Sequence, residues 1–337
     1  MSFARFFQRN PMSKYDPANC RECITEKGVE MVMDKTDTKV HCMRGVIKTF
    51  VVMFVLSGIN LPSLAQNDAG TGAADGSVKG LLQPFVDRHE LAGAVALVAD
   101  RDRVLSVEAV GFADIAANRA MKTDDIFWIA SQSKAMTATA VMMMVDEGKI
   151  MLDDPVEKYL PEFRGQKVVA ESDDAHKLLR KPTHPITIRE VLSHMSGLPF
   201  KSAIEKPTLD GLPLAAAVRS YAMTPLQTEP GTSYAYSNAG INTAARILEK
   251  VSGISYEEFM QQRLFTPLGM VDTTFWPSKE QLPRIAKSYR PDAAKKSIDE
   301  ITISQLIYPL SDRTRRFPMP AGGLFSTAQD TAKFCCL

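Results

Sequence analysis

The chain has 337 residues, of which 45% are hydrophobic and 23% charged, a balance typical of soluble globular proteins. This composition excludes a wholly disordered chain, a collagen-like repeat and a disulfide-dense miniprotein. Lysine plus arginine (40) nearly equals aspartate plus glutamate (39), so no global field attracts nucleic acid or an anionic membrane.

The chain begins with 42 mainly polar residues that show no clear amphipathic period. We interpret residues 1–42 as a leader that need not be translated, with Met43 as the simplest true start. Cys20 and Cys23 are spaced like zinc ligands, but no second ligand pair lies at a matching distance. We therefore expect no metal site.

Residues 43–65 have the composition of a bacterial export signal. Two basic residues near the start precede the apolar run 50–56, and small residues end the segment at Ala65. The run is too short to span a bilayer comfortably, and a buried core segment is the alternative. We expect cleavage after Ala65, a periplasmic or secreted protein without a membrane span, and a flexible lead-in at 66–77.

Apolar spacing and capping residues predict the elements of the remaining chain, 78–337. They indicate helices at about 76–90, 132–147, 187–194, 213–223 and 238–251, a β-hairpin from 94–98 and 104–110, and helices capped by Ser255 and Ser326. Two strands followed by a mainly helical stretch, about 131–310, indicate a sheet interrupted by an α-helical insertion.

The first candidate chemical group is Ser131-Gln-Ser-Lys134, which opens a helix after an apolar segment. Residues at i and i+3 share one helix face, so the lysine amine can approach the serine hydroxyl. The helix N-terminus favours a developing oxyanion and disfavours a protonated lysine. A chain of this length carries about one S-x-x-K by chance, so the motif alone is weak evidence.

The second candidate is Tyr236-Ser-Asn238, which also precedes a helix. A tyrosine phenol can relay a proton between the lysine, the serine and a leaving group. An asparagine amide can hold a substrate carbonyl. The alternative is a surface tyrosine with Asn238 as a simple helix N-cap.

Four blocks in order, residues 129–135, 186–198, 230–238 and 321–327, together resemble the serine β-lactamase and penicillin-binding-protein superfamily. The branch resembled is the class C β-lactamase-like one, which includes family VIII-type carboxylesterases and D-alanyl-D-alanine peptidases. The resemblance implies an α/β (α+β) fold over 78–337: an antiparallel sheet flanked by helices, with a large all-α insertion.

The resemblance also implies roles for the candidate residues. Ser131 is the nucleophile, Lys134 its general base, Tyr236 the completion of the proton relay, and Asn238 a substrate contact. The implied reaction is acyl transfer through an acyl-enzyme on an ester, β-lactam or D-Ala-D-Ala-type carbonyl, without metal or organic cofactor. We expect a small acyl substrate and a monomer. His194 falls in a structural block, and we interpret it as helix-end packing.

The family carries a third motif, Lys-Thr-Gly, His-x-Gly or Trp-x-Gly, on a late strand, and no such triplet follows Tyr236. The sequence ends inside a helix that precedes that strand in the family. We therefore expect a C-terminally truncated domain whose last sheet strands are missing. This leaves an alternative function open: a catalytically incomplete fragment or a binding relic of the same family.

Overall fold

A computed structural model of the protein describes residues 77–294 and 296–337. The predicted leader, the export signal and nearly all of the lead-in therefore lie outside the described residues. No helix in the described ranges combines the length and apolar character needed to cross a membrane.

The described ranges contain seven α-helices, which match the predicted helices in order. They are α1 (Val78–Asp87), α2 (Ser133–Asp146), α3 (Ile188–Leu192), α4 (Leu214–Ala222), α5 (Asn238–Ser252), α6 (Tyr256–Met260) and α7 (Ala328–Cys335).

Capping residues explain where several of these helices begin and end. At α3 the Thr187 hydroxyl accepts the Glu190 N–H while the Glu190 carboxylate accepts the Thr187 N–H, which forms the predicted capping box. The prediction that Ser326 caps the last helix is wrong, because Thr327 accepts the Asp330 N–H instead. Ser326 cannot serve, since it lies in a strand and its hydroxyl bonds Thr273.

Nine short strands form four antiparallel sheets in the same ranges. They are β1 (Gly93–Ala99), β2 (Val104–Asp114), β3 (Arg119–Ala120), β4 (Phe127–Trp128), β5 (Val168–Ser172), β6 (Lys177–Arg180), β7 (Tyr289–Pro291), β8 (Ile298–Glu300) and β9 (Phe325–Ser326). The sheets are β1-β2-β3, β4-β9, β5-β6 and β7-β8.

The mixed architecture confirms the predicted fold class of antiparallel sheets with flanking helices. The predicted hairpin is β1-β2, in which Val95 pairs with Ala109. The stretch 131–310 also contains the hairpins β5-β6 and β7-β8, which the apolar pattern did not indicate.

The main core surrounds α5, which packs against α2, α3 and α4. Ten of its fifteen residues are buried, and they contact the apolar side chains of α2 such as Met136, Val141 and Met144. The start of α2 is tied to β9, because Trp128 pairs with Phe325. This arrangement fixes the N-terminal ends of α2 and α5 beside one another, and the candidate residues lie at those ends.

Candidate active site

The serine and lysine of the first motif are brought together as predicted from their spacing. The Lys134 Nζ lies 3.0 Å from the Ser131 Oγ. Ser131 is exposed, whereas Lys134 is only 8% exposed. A substrate can therefore reach the hydroxyl while the amine behind it is shielded from water.

The backbone around the serine is held in an uncommon conformation. Ser131 lies in a 3₁₀ turn, Ala130–Gln132, that runs directly into α2. Ala130 has a φ of +45°, a left-handed value that a residue with a Cβ adopts at a cost of about 1–2 kcal/mol. The turn thus presents the Ser131 side chain outward at the helix start.

Ser133, the other hydroxyl in the motif, is locked into the fold. Its Oγ donates to the Ala130 carbonyl at 2.7 Å and accepts the Leu324 N–H at 3.2 Å. The residue is fully buried. These contacts give Ser133 a structural task, tying the turn to the segment before β9, and leave Ser131 as the accessible hydroxyl.

The environment of Lys134 weakens its affinity for a proton. Burial lowers the pKa of the amine to about 8 from 10.5, because the charged form loses its solvation. The amine also donates to the Ala321 carbonyl at 2.6 Å. An amine with this pKa is neutral in a useful fraction of molecules at neutral pH, as a general base requires.

Tyr236 reaches the lysine through its ring rather than its hydroxyl. The Lys134 Nζ lies 4.6 Å from the ring centroid, a cation–π distance. Among the described residues, the Tyr236 hydroxyl has no hydrogen-bond partner, and the side chain is 41% exposed. The structure therefore places the tyrosine in contact with the amine, with its polar end open to solvent.

Asn238 is the first residue of α5 and does not cap it. Ser237 is the N-cap, since its hydroxyl accepts the Gly240 N–H at 3.0 Å. The Asn238 side chain is buried, and its Oδ1 has no hydrogen-bond partner within the described ranges. A buried carbonyl oxygen without a donor costs free energy, so it is well suited to accept a hydrogen bond from a bound molecule.

His194 lies closer to the candidate site than helix-end packing alone suggests. Its ring centroid is 4.7 Å from that of Tyr236, and its Nδ1 accepts the Ser237 N–H at 3.2 Å. Burial and the neighbouring Lys134 charge lower the pKa of His194 below its ordinary 6.5. The imidazole is therefore mainly neutral at pH 7 and packs against the tyrosine ring.

Comparisons with known proteins identify the family of the chain. The family model described as Beta-lactamase matches residues 78–337. Protein Rv1367c of Mycobacterium tuberculosis is 33% identical over 264 residues, covering 75% of this chain and 63% of that protein. Lovastatin esterase of Penicillium rubens is 29% identical over 209 residues, covering 58% of this chain and 51% of that protein. The chain thus spans less than two thirds of either relative's length.

Among solved structures, EstCE1 is described as a hydrolase with promiscuous acyltransferase activity. It superposes on this chain with a TM-score of 0.64 at 27% identity, covering 76% of this chain and 70% of that one. The similarity therefore extends over most of the described fold, including the elements that carry the four site residues.

Proposed function

This chain belongs to the beta-lactamase family, and from that premise we propose that it is a serine hydrolase acting through an acyl-enzyme on Ser131. One observation carries the proposal. An exposed hydroxyl lies 3.0 Å from a buried amine whose pKa is about 8. This pairing of nucleophile and base is the minimum that acyl transfer requires.

The first step uses the neutral form of Lys134. The amine takes the Ser131 proton while the Oγ forms a bond to the substrate carbonyl carbon. One Nζ–H is bonded to the Ala321 carbonyl, and rotation about that bond turns the lone pair of the neutral amine toward the serine, whose Oγ lies 3.0 Å away. The proton then passes to the leaving-group oxygen as that bond breaks, and water hydrolyses the acyl-enzyme in a second, equivalent round.

Tyr236 and Asn238 complete the proposed site. The ring of Tyr236 stabilises the protonated amine that exists after the first transfer, and its exposed hydroxyl can pass the proton to the leaving group. Asn238 contacts the substrate, and its Nδ2 donates to the substrate carbonyl.

Among ester, β-lactam and D-Ala-D-Ala-type substrates we favour esters with a small apolar acyl group. Aromatic side chains flank Tyr236: Phe200 is 42% exposed with its ring 6.2 Å away, and Tyr234 is 68% exposed beside His194. Such exposed rings offer apolar surface to an uncharged substrate. The similarity to a lovastatin esterase supports esters as the substrate class.

Labelling with a fluorophosphonate, read by intact mass, tests the proposal. We expect one adduct on the wild type and none on Ser131→Ala, whose melting temperature stays unchanged because the hydroxyl is exposed. Ser133→Ala is the matched control: it keeps the adduct but melts earlier, since it loses two buried hydrogen bonds. An adduct that persists on Ser131→Ala rejects Ser131 as nucleophile.

Turnover is measured separately with p-nitrophenyl acetate and butyrate beside nitrocefin. Ester hydrolysis that is lost in Ser131→Ala supports the assignment as an esterase. If nitrocefin is hydrolysed faster than either ester, the protein is a β-lactamase and the esterase assignment is wrong. Formation of the adduct without turnover identifies the alternative function, a catalytically incomplete protein.

We also propose that the protein is exported to the periplasm or medium after cleavage behind Ala65. The basic start and apolar run of 43–65 support this proposal. N-terminal sequencing of secreted material tests it: we expect Gln66 as the first residue, and a protein that retains residues 43–65 outside the cell contradicts it.

A further inference from the structure

A chain of hydrogen bonds leads from the lysine into the protein interior. Ala321, which is fully buried, accepts a hydrogen bond from Lys134 through its carbonyl at 2.6 Å. Its own N–H donates to the Asn242 Oδ1 at 3.1 Å. The backbone on both sides of the Ala321 Cα is thus held, on one side by the lysine and on the other by a side chain of α5.

The chain continues through two further buried side chains. Asn242 Nδ2 lies 3.0 Å from the Tyr221 hydroxyl, and that hydroxyl lies 2.6 Å from the Glu205 Oε1. The Glu205 Oε2 accepts the Ser202 N–H at 2.7 Å. We call Glu205, Tyr221 and Asn242 the buried relay; each is at most 2% exposed.

The direction of every bond in the buried relay is determined. The Ala321 N–H can only donate, so the oxygen of Asn242 faces it and the amide nitrogen faces Tyr221. The Tyr221 oxygen accepts from that nitrogen and sends its own proton to Glu205. Both carboxyl oxygens of Glu205 thus accept a hydrogen bond.

A carboxyl group in this position is an unusual feature of a protein core. Burial raises the pKa of Glu205, while the hydrogen bonds from Tyr221 and Ser202 and the charge of Lys201 oppose that rise. None of the ion pairs formed within the described ranges includes Glu205. A buried carboxyl group held only by hydrogen bonds is less stable than an apolar residue of the same shape, which suggests a role beyond packing.

We propose that the buried relay aims the Lys134 amine at Ser131 by fixing the Ala321 carbonyl. The proposal rests on the serine-hydrolase function proposed above. The members of the relay touch neither substrate nor nucleophile, so they are positioning residues. The fixed carbonyl accepts one Nζ–H at 2.6 Å and thereby holds the nitrogen 3.0 Å from the Ser131 Oγ, within reach of the hydroxyl proton.

Loosening the buried relay should change the pKa of Lys134 in a defined direction. The Ala321 carbonyl accepts a hydrogen bond from the amine and favours its protonated form, so loosening the relay lowers the pKa of Lys134 further. Two other titratable groups face the amine, the ring of Tyr236 and the imidazole of His194. His194 loses its proton below pH 6.5 and therefore does not titrate in the same range as the lysine.

The variants Asn242→Leu and Tyr221→Phe break the relay at different points. Asn242→Leu removes the bond to Ala321, whereas Tyr221→Phe keeps that bond and separates it from Glu205. Thr243→Val is the matched control, because Thr243 neighbours Asn242 on α5, is fully buried, and bonds only the Ala239 carbonyl of its own helix.

The direct measurement is the titration of the Lys134 ¹³Cε signal in ¹³C-lysine-labelled protein, assigned with Lys134→Arg. We expect the midpoint to fall by about one pH unit in Asn242→Leu, by less in Tyr221→Phe, and not at all in Thr243→Val. The fluorophosphonate labelling rate on its high-pH plateau falls about tenfold in Asn242→Leu. Variants that only melt earlier, with the midpoint unchanged or raised, overturn the proposal.

The same experiment separates failure of the relay from failure of the proposed function. The lysine signal titrates whether or not the protein forms an adduct. A wild type that forms no Ser131 adduct rejects the serine hydrolase, whereas an unmoved lysine midpoint in a wild type that does form the adduct rejects the relay alone.

Discussion

The pH dependence of Ser131 acylation follows directly from the burial of Lys134. The lysine acts as a base only when neutral, and burial brings its pKa from 10.5 to about 8. At pH 7 this raises the neutral fraction from about 0.03% to about 9%, a factor of about 300. The change corresponds to about 3 kcal/mol between the two protonation states.

The labelling rate should therefore track the neutral fraction of the amine. We expect it to rise nearly tenfold per pH unit up to about pH 7, to reach half its maximum near pH 8, and to level off above about pH 9. Between about pH 6 and pH 8 the total increase is about fifty-fold. Burial and the Lys134 charge lower the pKa of His194 from its ordinary 6.5, so the imidazole loses its proton at a lower pH than the lysine.

The assay is the second-order rate of fluorophosphonate adduct formation, followed by intact mass and corrected for hydrolysis of the probe. Using adduct formation keeps the result independent of the deacylation step. Lys134→Arg is the control, since a guanidinium stays protonated throughout the range and should label slowly with no midpoint near pH 8. A wild-type rate that is flat from about pH 6 to pH 9, or half-maximal below about pH 7, would refute the reasoning.

Three further outcomes test the energetics around the site. The pKa of Lys134 is about 8 in the folded protein and 10.5 in the unfolded chain, so the unfolded chain binds more protons between these two pH values. The unfolding free energy of the wild type, measured by urea titration relative to Lys134→Met, should therefore rise by about 3 kcal/mol as the pH rises across that window. Ala130→Gly should raise stability by about 1 kcal/mol, because glycine adopts the φ of +45° without strain, and an unchanged or lower urea midpoint contradicts this. Arg316→Met should cost about 3–5 kcal/mol, since it leaves the fully buried Asp210 carboxylate without its partner at 2.7 Å; a loss below about 1 kcal/mol would show that Asp210 is not charged.

Local sequence signals predicted those parts of the fold that local forces determine. The helix spacing of the apolar residues located α2 and α5, and the capping box located the start of α3 at Thr187. The hairpin β5-β6 was missed because its strands are mostly exposed and lack alternation; even Leu178 and Leu179 are exposed. The cap of α7 was misplaced by one residue because Ser326 is drawn into a strand by tertiary pairing.

The sequence predicted one contact of the candidate site and missed others. Ser131 and Lys134 are one helical turn apart, so their contact could be read from the spacing alone. The partner of the amine, Ala321, lies 187 residues away and offers only a backbone carbonyl, which no motif marks. The bond between Asn242 and Ala321 joins residues 79 positions apart, and it too involves a backbone group that no motif marks. Sequence patterns report side-chain chemistry and helix faces, whereas these contacts depend on how distant segments pack.

Three features of the molecule cost stability, and all three meet at residues 321–324. Ala130 holds a left-handed backbone, and its carbonyl is bound by Ser133, which in turn accepts the Leu324 N–H. Lys134 is buried against the Ala321 carbonyl. Glu205 is a buried carboxyl group joined to the Ala321 N–H through Tyr221 and Asn242. A glycine at Ala130, or an apolar residue at Lys134 or Glu205, would remove the corresponding loss of folding free energy. Unfavourable features that cluster around one short segment are typical of functional sites. The convergence on 321–324 therefore supports a working role for the lysine more strongly than the spacing of serine and lysine does by itself.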